Sequence, residues 1–400
     1  MKLGMPVARG AVVADEIWDQ ALAQALAQTS DIHADVALLF ASGEYEAHFP
    51  EMLRMIKEET GAEIIMGCSG QGIIGTGIEL EDVPALSLLT LELPGSTLHP
   101  VRFSPDIVEM FNTPNDLRTL LDVPLDDVNG WLLFLDPFHL NSEFLIEELA
   151  NAYPYVPMVG GLASNDMPDS PCYFFLNDTV YADGGIGLAI GGSYKILPLV
   201  SQGCEPIGEP WTITKVQDNG LVETISNRPA YDMLVETFHN LPQNILKRAQ
   251  GNLLLVGIAA NEYLERFGRG SFVIRNLLGV DRRSKALAIG AQPRVGQTIQ
   301  FQMRDAETAD LDLRELLTKL CYRLKKTETL QVVGGILCTC NGRGESLFPT
   351  PNHDAGMIEE ILGPLPLAGL FCNGEIGPIG ERPLLHGFTA CLALIVKHKE

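Results

Sequence analysis

The chain has 400 residues, 46% of them hydrophobic, which is material for two or three ordinary domains with real cores and excludes a disordered chain. Its 51 acidic residues outnumber 28 basic ones, and a net charge of −23 repels phosphate backbones and anionic headgroups, so neither a nucleic-acid partner nor membrane attachment is expected. Eight cysteines fall mostly inside apolar runs, without the CxxC or Cys/His spacing of a metal or redox site, and no basic leader or 18-residue apolar span is present; a cytoplasmic protein with no metal and no membrane insertion is expected.

Asp15 to Gln28 carries apolar residues at Ile17, Ala21, Leu22, Ala25 and Leu26, which predicts that a one-sided helix opens the chain. Val36 to Phe40 is an unbroken apolar run suited to a strand covered on both faces, and a helix through Met52, Leu53 and Ile56 follows to Gly61. Ile64-Ile65-Met66 then predicts a second strand ending in Gly67-Cys68-Ser69-Gly70, with a further strand at Ala85 to Leu91.

The same order recurs twice. In the second copy Trp131 to Leu135 and a helix over Ser142 to Ala150 lead to Val156 to Val159, the small-residue segment Gly160 to Asp166 and a strand at Ile186 to Ile190. In the third, Val333 to Cys338 precedes a helix near Met357 to Leu362, then Leu367 to Ile376 with its own small residues, and finally Phe388 to Val396. Between these copies Pro198 to Ile225 and Asn252 to Arg304 alternate like strands, and Asp310 to Lys326 reads as a long helix. The expected fold is α/β in the mixed α+β sense: two lobes of mixed β-sheets flanked by helices, meeting around residues 205 to 230, with three strand-helix-strand repeats.

Each copy places small residues where a core strand ends, and there backbone can approach a ligand or another chain segment. Arg343, in Cys340-Asn341-Gly342-Arg343-Gly344, is flanked by glycines and could hold a carboxylate bidentately, or pair internally with an acid such as Glu375. Glu375 and Asn373, in the third small-residue loop, would suit the amine of an amino-acid-like ligand. Cys68 and Ser69 in the first copy, and Asn165 and Asp166 in the second, occupy comparable places, with burial and turn formation as the plainer readings. His386 stands near the last strand, and Cys340, His386 and Glu375 are the one set from which a Cys/His couple could be made. No nucleophile elbow, P-loop, H-E-x-x-H or nucleotide fingerprint occurs, so no catalytic residue, enzyme activity or cofactor is expected.

The ordered succession Gly67-Cys68-Ser69, Gly160-Gly161-Leu162-Ala163-Ser164, Asp183-Gly184-Gly185-Ile186-Gly187, Gly203-Cys204-Glu205-Pro206, Phe272 to Asp281, Val295-Gly296-Gln297, Cys340 to Gly344 and Gly369 to Ile376 resembles the FIST family. It departs from the family at Gly70-Gln71-Gly72-Ile73 and at His386-Gly387-Phe388-Thr389. The resemblance implies an N-type domain over residues 1–225 and a C-type domain over 226–400. It also implies a non-catalytic sensor in which a small metabolite settles between the lobes and a separate signalling protein reads the result. Some relatives carry an F-box; here the similar region begins almost at once, so no such segment and no ubiquitin-ligase role is expected. Two rival readings remain open at this point: a protein-interaction scaffold, and a hydrolase or transferase built on Cys340 and His386.

Overall fold

The computed structural model describes residues 4–167, 170–249, 253–327 and 329–398. The chain forms two compact units: unit one joins Met1–Val200 to Arg314–Glu400, and unit two is Ser201–Leu313. The chain therefore leaves unit one at residue 200 and returns to it at 314, whereas the sequence suggested lobes meeting around residues 205 to 230.

Three repeats build unit one. The first runs β1 (Val7–Ala14), α1 (Trp18–Thr29), β2 (Val36–Ala41), α2 (Phe49–Thr60), β3 (Ile64–Ser69), a short hairpin β4 (Ile73–Gly75) and β5 (Ile78–Leu80), and β6 (Ala85–Glu92). The second runs β7 (Ser96–Phe103), α3 (Pro114–Leu121), β8 (Gly130–Leu135), α4 (Ser142–Ala152), β9 (Met158–Leu162), hairpin β10 (Phe174–Leu176) and β11 (Thr179–Tyr181), and β12 (Gly185–Gly192). The third begins with β13 (Tyr194–Ser201) and is interrupted by unit two.

Unit two contains β14 (Cys204–Val216), β15 (Val222–Ile225), β16 (Arg228–Pro229), α5 (Ala230–His239), α6 (Gln243–Ala249), β17 (Leu253–Ala259), β18 (Phe272–Asp281), β19 (Ala286–Ile289) and β20 (Thr298–Arg304). After α7 (Ala306–Lys326) the third repeat resumes with β21 (Leu330–Cys340), α8 (His353–Leu362), β22 (Leu367–Cys372), hairpin β23 (Gly374–Ile379) and β24 (Arg382–His386), and β25 (Ala390–His398).

A strand, not a helix, thus comes first among the described elements. Val7 to Ala14 alternates only loosely between buried and half-buried positions, which hides it from a periodicity test, and it is held by antiparallel pairing along the whole of β6. Within each repeat the strands order first, fourth, second, third, and the middle pairs β2/β3, β8/β9 and β21/β22 are parallel.

Each sheet is completed by a hairpin borrowed from another repeat: β10–β11 extends the first sheet, β23–β24 the second and β4–β5 the third. The exchange is cyclic. Because those hairpins are single turns without cores of their own, they gain stability only by adding to a neighbour's sheet edge.

Alternation on the inner strands gives the layers. Val36, Leu38 and Phe40 of β2, Leu132 and Phe134 of β8, and Ile336 and Cys338 of β21 share one buried core, with the Phe40 and Phe134 rings edge-to-face at 5.1 Å. The residues between them on the first two sheets, such as Leu39 and Leu133, pack under the helices of their own repeats. One requirement is repeated in all three copies: a Cβ at Gly67, Gly160 or Gly369 would lie 1.7, 1.8 or 1.9 Å from the carbonyl oxygen of Leu39, Leu133 or Leu337 on the parallel partner. The small residues at these positions serve strand contact inside the sheet.

Unit two is a seven-stranded antiparallel sheet in the order β14-β20-β17-β18-β19-β15-β16, with an additional β14–β15 pairing that closes it on itself. Ile207, Val256, Leu287, Phe301 and Met303 form its core with Met233 of α5.

Candidate functional site

Counting from the equivalent glycines fixes what the repeats bring together in unit one. Four residues beyond Gly67, Gly160 and Gly369 stand Gln71, Ser164 and Asn373, just past the ends of the parallel strands. Hydrogen bonds lace these ends into one junction. Ser164 Oγ donates to the Phe371 carbonyl at 2.6 Å and accepts the Gln71 amide at 2.7 Å, while Ser69 Oγ donates to the Ser164 carbonyl at 2.9 Å. Asn373 donates through Nδ2 to the Ala163 carbonyl and accepts Asn341 Nδ2 at its Oδ1, both at 3.0 Å.

Beside this junction opens a cavity of about 500 Å³, walled by Phe138, His139, Asn165, Met167, Cys172 and Asn373. That is a volume in which small molecules bind, and it lies past the carboxyl ends of parallel strands, where open α/β sheets commonly carry their ligands. Among the described residues its lining contains no Asp, Glu, Lys or Arg. A much smaller space of about 20 Å³, enough for a single water, adjoins Gln71, Glu81 and Asn341.

The polar wall of the large cavity is preorganised by Asp136, which is almost fully buried at the end of β8. Its carboxylate accepts the Phe138 amide at 2.7 Å, the His139 amide at 3.2 Å and His139 Nδ1 at 2.9 Å. A carboxylate only accepts, so His139 Nδ1 carries a proton and Nε2 is left to meet a ligand. The ring itself is largely exposed, with 59% of its side chain accessible. Cys172 is no nucleophile at neutral pH: burial, aided by the charge of Asp136, pushes its thiol up to about 12.

Of the residues singled out from sequence, Asn165 and Asn373 line this cavity. Both amides are held: Asn165 donates to the Pro171 carbonyl and accepts the Met167 amide. Ser69 is buried just behind, accepting the Tyr173 amide, and Cys68 is fully buried in β3 with its thiol driven upward by desolvation. Asp166 is exposed on the loop after β9.

Arg343 is placed elsewhere. Its side chain is fully buried, and Nε and Nη2 clasp Asp354 at 2.6 and 2.8 Å. Asp354 also accepts Thr339 Oγ1 and His353 Nδ1. Burial alone would lower the arginine and raise the aspartate; the charge of each partner reverses both, lifting Arg343 above and holding Asp354 below its ordinary range. The acid paired with Arg343 is thus Asp354, and sequence had suggested Glu375.

Glu375 lies in β23, not in a loop, because its main chain pairs with Gly161 of β9 and with His386 of β24. Its fully buried carboxylate accepts the Thr389 amide at 2.9 Å and faces Cys372 Sγ at 3.6 Å. His386 bonds through Nε2 to the Gly377 carbonyl, and Cys340 Sγ accepts the Gly342 amide at 3.5 Å. Arg304 and Asp305 precede α7, where Asp305 accepts the Thr308 amide at 2.8 Å and pairs with Arg248.

Asp136 and His139 were missed. A signal existed in the repeat alignment: three residues beyond Leu39, Leu133 and Leu337 stand Ser42, Asp136 and Cys340, so Asp136 occupies the place for which Cys340 was singled out.

The FIST N domain matches residues 35–228 of the chain and the FIST C domain residues 230–378. An uncharacterised protein of Mycobacterium tuberculosis is 35% identical over 365 residues, covering 90% of this chain and 91% of its own length. An uncharacterised Mycobacterium bovis protein is 35% identical over 386 residues, or 95% of this chain and 96% of its own. An F-box/LRR-repeat protein of Arabidopsis thaliana is 33% identical over 107 residues, 27% of this chain and 20% of that protein. Among solved structures, a cyanuric acid hydrolase from A. caulinodans aligns over 99% of this chain and all of its own at 9% identity and a TM-score of 0.34.

Proposed function

The chain belongs to the FIST family, whose domains are small-ligand sensory domains, and on that premise we propose that it is a non-catalytic sensor for an uncharged polar metabolite taken up beside His139. The observation that carries this reading is the chemistry of the cavity: about 500 Å³, lined among the described residues by the amides of Asn165 and Asn373, the oriented imidazole of His139, Phe138 and Met167, with no Asp, Glu, Lys or Arg among them. An amino-acid-like ligand was expected on the strength of Arg343 and Glu375. Both are buried and engaged inside unit one, so the two ends of a zwitterion would find no counter-charge among the described lining residues.

Ligand binding would shift the population of conformations around the junction, and a separate partner protein would read the shift. No helix among the described residues is long and apolar enough to cross a membrane. All eight cysteines are free, which suits the cytoplasm as the proposed setting.

The test is a thermal-shift screen that sets uncharged metabolites against amino acids and carboxylates. A ligand at 1,000 times its dissociation constant stabilises the folded state by about 4 kcal/mol. A hit that His139→Ala abolishes while the variant keeps its fold, and that the protein leaves chemically unchanged by NMR, supports the reading. Turnover of the hit overturns the non-catalytic part. No shift from any metabolite at about 10 mM overturns the sensor and leaves protein interaction as the function to pursue.

A further inference from the structure

Unit two carries a separate pocket of about 370 Å³. It forms where β14 departs from regular pairing with β20: the register passes from Ile207 opposite Phe301 to Trp211 opposite Ile299, so Gly208, Glu209 and Pro210 are extruded from the ladder. Such bulges redirect side chains at functional sites. This one is firmly built. Gly208 adopts a φ of +67°, a Cβ there would lie 2.5 Å from Thr237 Cγ2, and its carbonyl accepts Gln300 Nε2 at 2.7 Å. Gln300 is itself buried.

The extruded segment faces the C-terminal turn of α5, and the pocket between them has two kinds of wall. Trp211, Met233, Leu241 and Pro242 supply apolar surface; Glu209 and Glu236 supply carboxylates; no Lys or Arg among the described residues lines it. Glu236 is already paired with Arg228, which lowers its pKa, whereas Glu209 is exposed and has no ion pair or hydrogen bond among the described residues. The Trp211 Nε1 hydrogen is buried without an acceptor.

This local acidity is not a sample of the whole chain. Unit two holds 13 of the 51 acidic residues and 12 of the 28 basic ones, so it is nearly neutral and two carboxylates without a lining cation stand out against it.

We propose that this pocket is a binding site for a compact organic cation, an alkylammonium or guanidinium group, seated against Trp211 and neutralised by Glu209. Three attractions act together: the indole face toward a cation, the free carboxylate, and the negative end of the α5 dipole. The same head group occurs in free amines and in Arg or Lys side chains of a protein. Whichever source supplies it, the site is independent of the cavity beside His139.

Three tryptophans give three indole N–H signals, so NMR titration reports on the site directly. Agmatine, cadaverine and a blocked Arg-containing tetrapeptide are the probes. The expected result is a selective shift of the Trp211 indole signal with a dissociation constant below about 1 mM, weakened at least tenfold by Glu209→Lys and weakened in high salt. Glu209→Gln, which should retain the fold because the side chain is exposed and unbonded, weakens binding by a smaller factor. Tighter binding of the peptide assigns the site to a protein side chain, and tighter binding of agmatine or cadaverine assigns it to a free amine. No shift of the Trp211 signal by any probe up to about 10 mM, or equal binding by folded Glu209→Lys, overturns the proposal.

Discussion

Two polar regions of unit one divide the chemistry between them. Around Arg343, four ionisable groups are brought out of water and spend their hydrogen bonds inside the protein: Arg343 and His353 donate to Asp354, and Glu79 accepts the Ala355 amide. Around His139 a single buried carboxylate, Asp136, spends its bonds on holding an exposed ring that faces open space. The first region fastens segments far apart in sequence, since Glu79 comes from the β4–β5 hairpin of repeat one and Asp354 from α8 of repeat three. The second holds a group ready. A conspicuous arginine between glycines is therefore a structural tie here, and an inconspicuous Asp-Pro-Phe-His turn forms the wall of the cavity.

The largest expected effect comes from breaking the tie. Arg343→Ala leaves Asp354 and its neighbours buried without their cation, a change that costs about 3–5 kcal/mol in comparable pairs. Urea denaturation should show that loss, while any variant that remains folded should bind a cavity ligand normally. Loss of ligand affinity at unchanged stability would return Arg343 to the binding site.

Glu79 sharpens the same contrast through pH. Burial, reinforced by the charge of Asp354, pushes its carboxyl up to about 8 from 4.5, against the opposing pull of Arg343. A carboxyl whose pKa rises on folding binds its proton more tightly in the folded state. Its contribution to stability is therefore full below about pH 4.5, declines as pH rises and is gone above about pH 8. Glu79→Gln keeps an oxygen for the Ala355 amide and removes the ionisation. The variant should lack that decline and exceed the wild type at pH 8.5 by about 2–4 kcal/mol. Identical pH profiles by thermal or urea unfolding would show that Glu79 titrates as an ordinary exposed acid.

The three-repeat architecture was legible because it rests on signals sequence carries directly: apolar runs at Val36, Trp131 and Val333, and a glycine-bearing segment 29 to 36 residues beyond each. The hairpin exchange was not, because β4–β5 and β10–β11 are strands of three residues whose pairing is decided only by which sheet edge lies near. Unit two was read as strands, yet its closure depends on a pairing between β14 and β15 that no local pattern announces. Of the site, Asn165 and Asn373 were found because they end small-residue segments. Asp136 and His139 were not, since a buried acid three residues before a histidine looks like any turn until the repeats are superposed on their glycines. Arg343 misled for a related reason: flanking glycines show that backbone is close to something, without saying whether that is a ligand or Asp354.

The smallest stability effect, and the most informative for function, is expected at His139. Its ring is largely exposed but partners the buried Oδ2 of Asp136, so His139→Ala should cost about 1 kcal/mol. Asp136→Asn differs, because the amide must replace a charged acceptor that serves two backbone N–H groups and an imidazole; about 1–3 kcal/mol should be lost. The two variants separate positioning from contact. If His139 Nε2 meets the ligand and Asp136 only aims it, alanine at 139 should abolish a cavity ligand's thermal shift in an otherwise normal protein. Asparagine at 136 should weaken binding about tenfold, and the imidazole NMR signals should show a changed tautomer, because the amide no longer demands the proton on Nδ1. A His139→Ala variant that binds as tightly as wild type would move the recognition surface to the asparagines of the cavity wall, where Asn373→Ala is then the variant to measure.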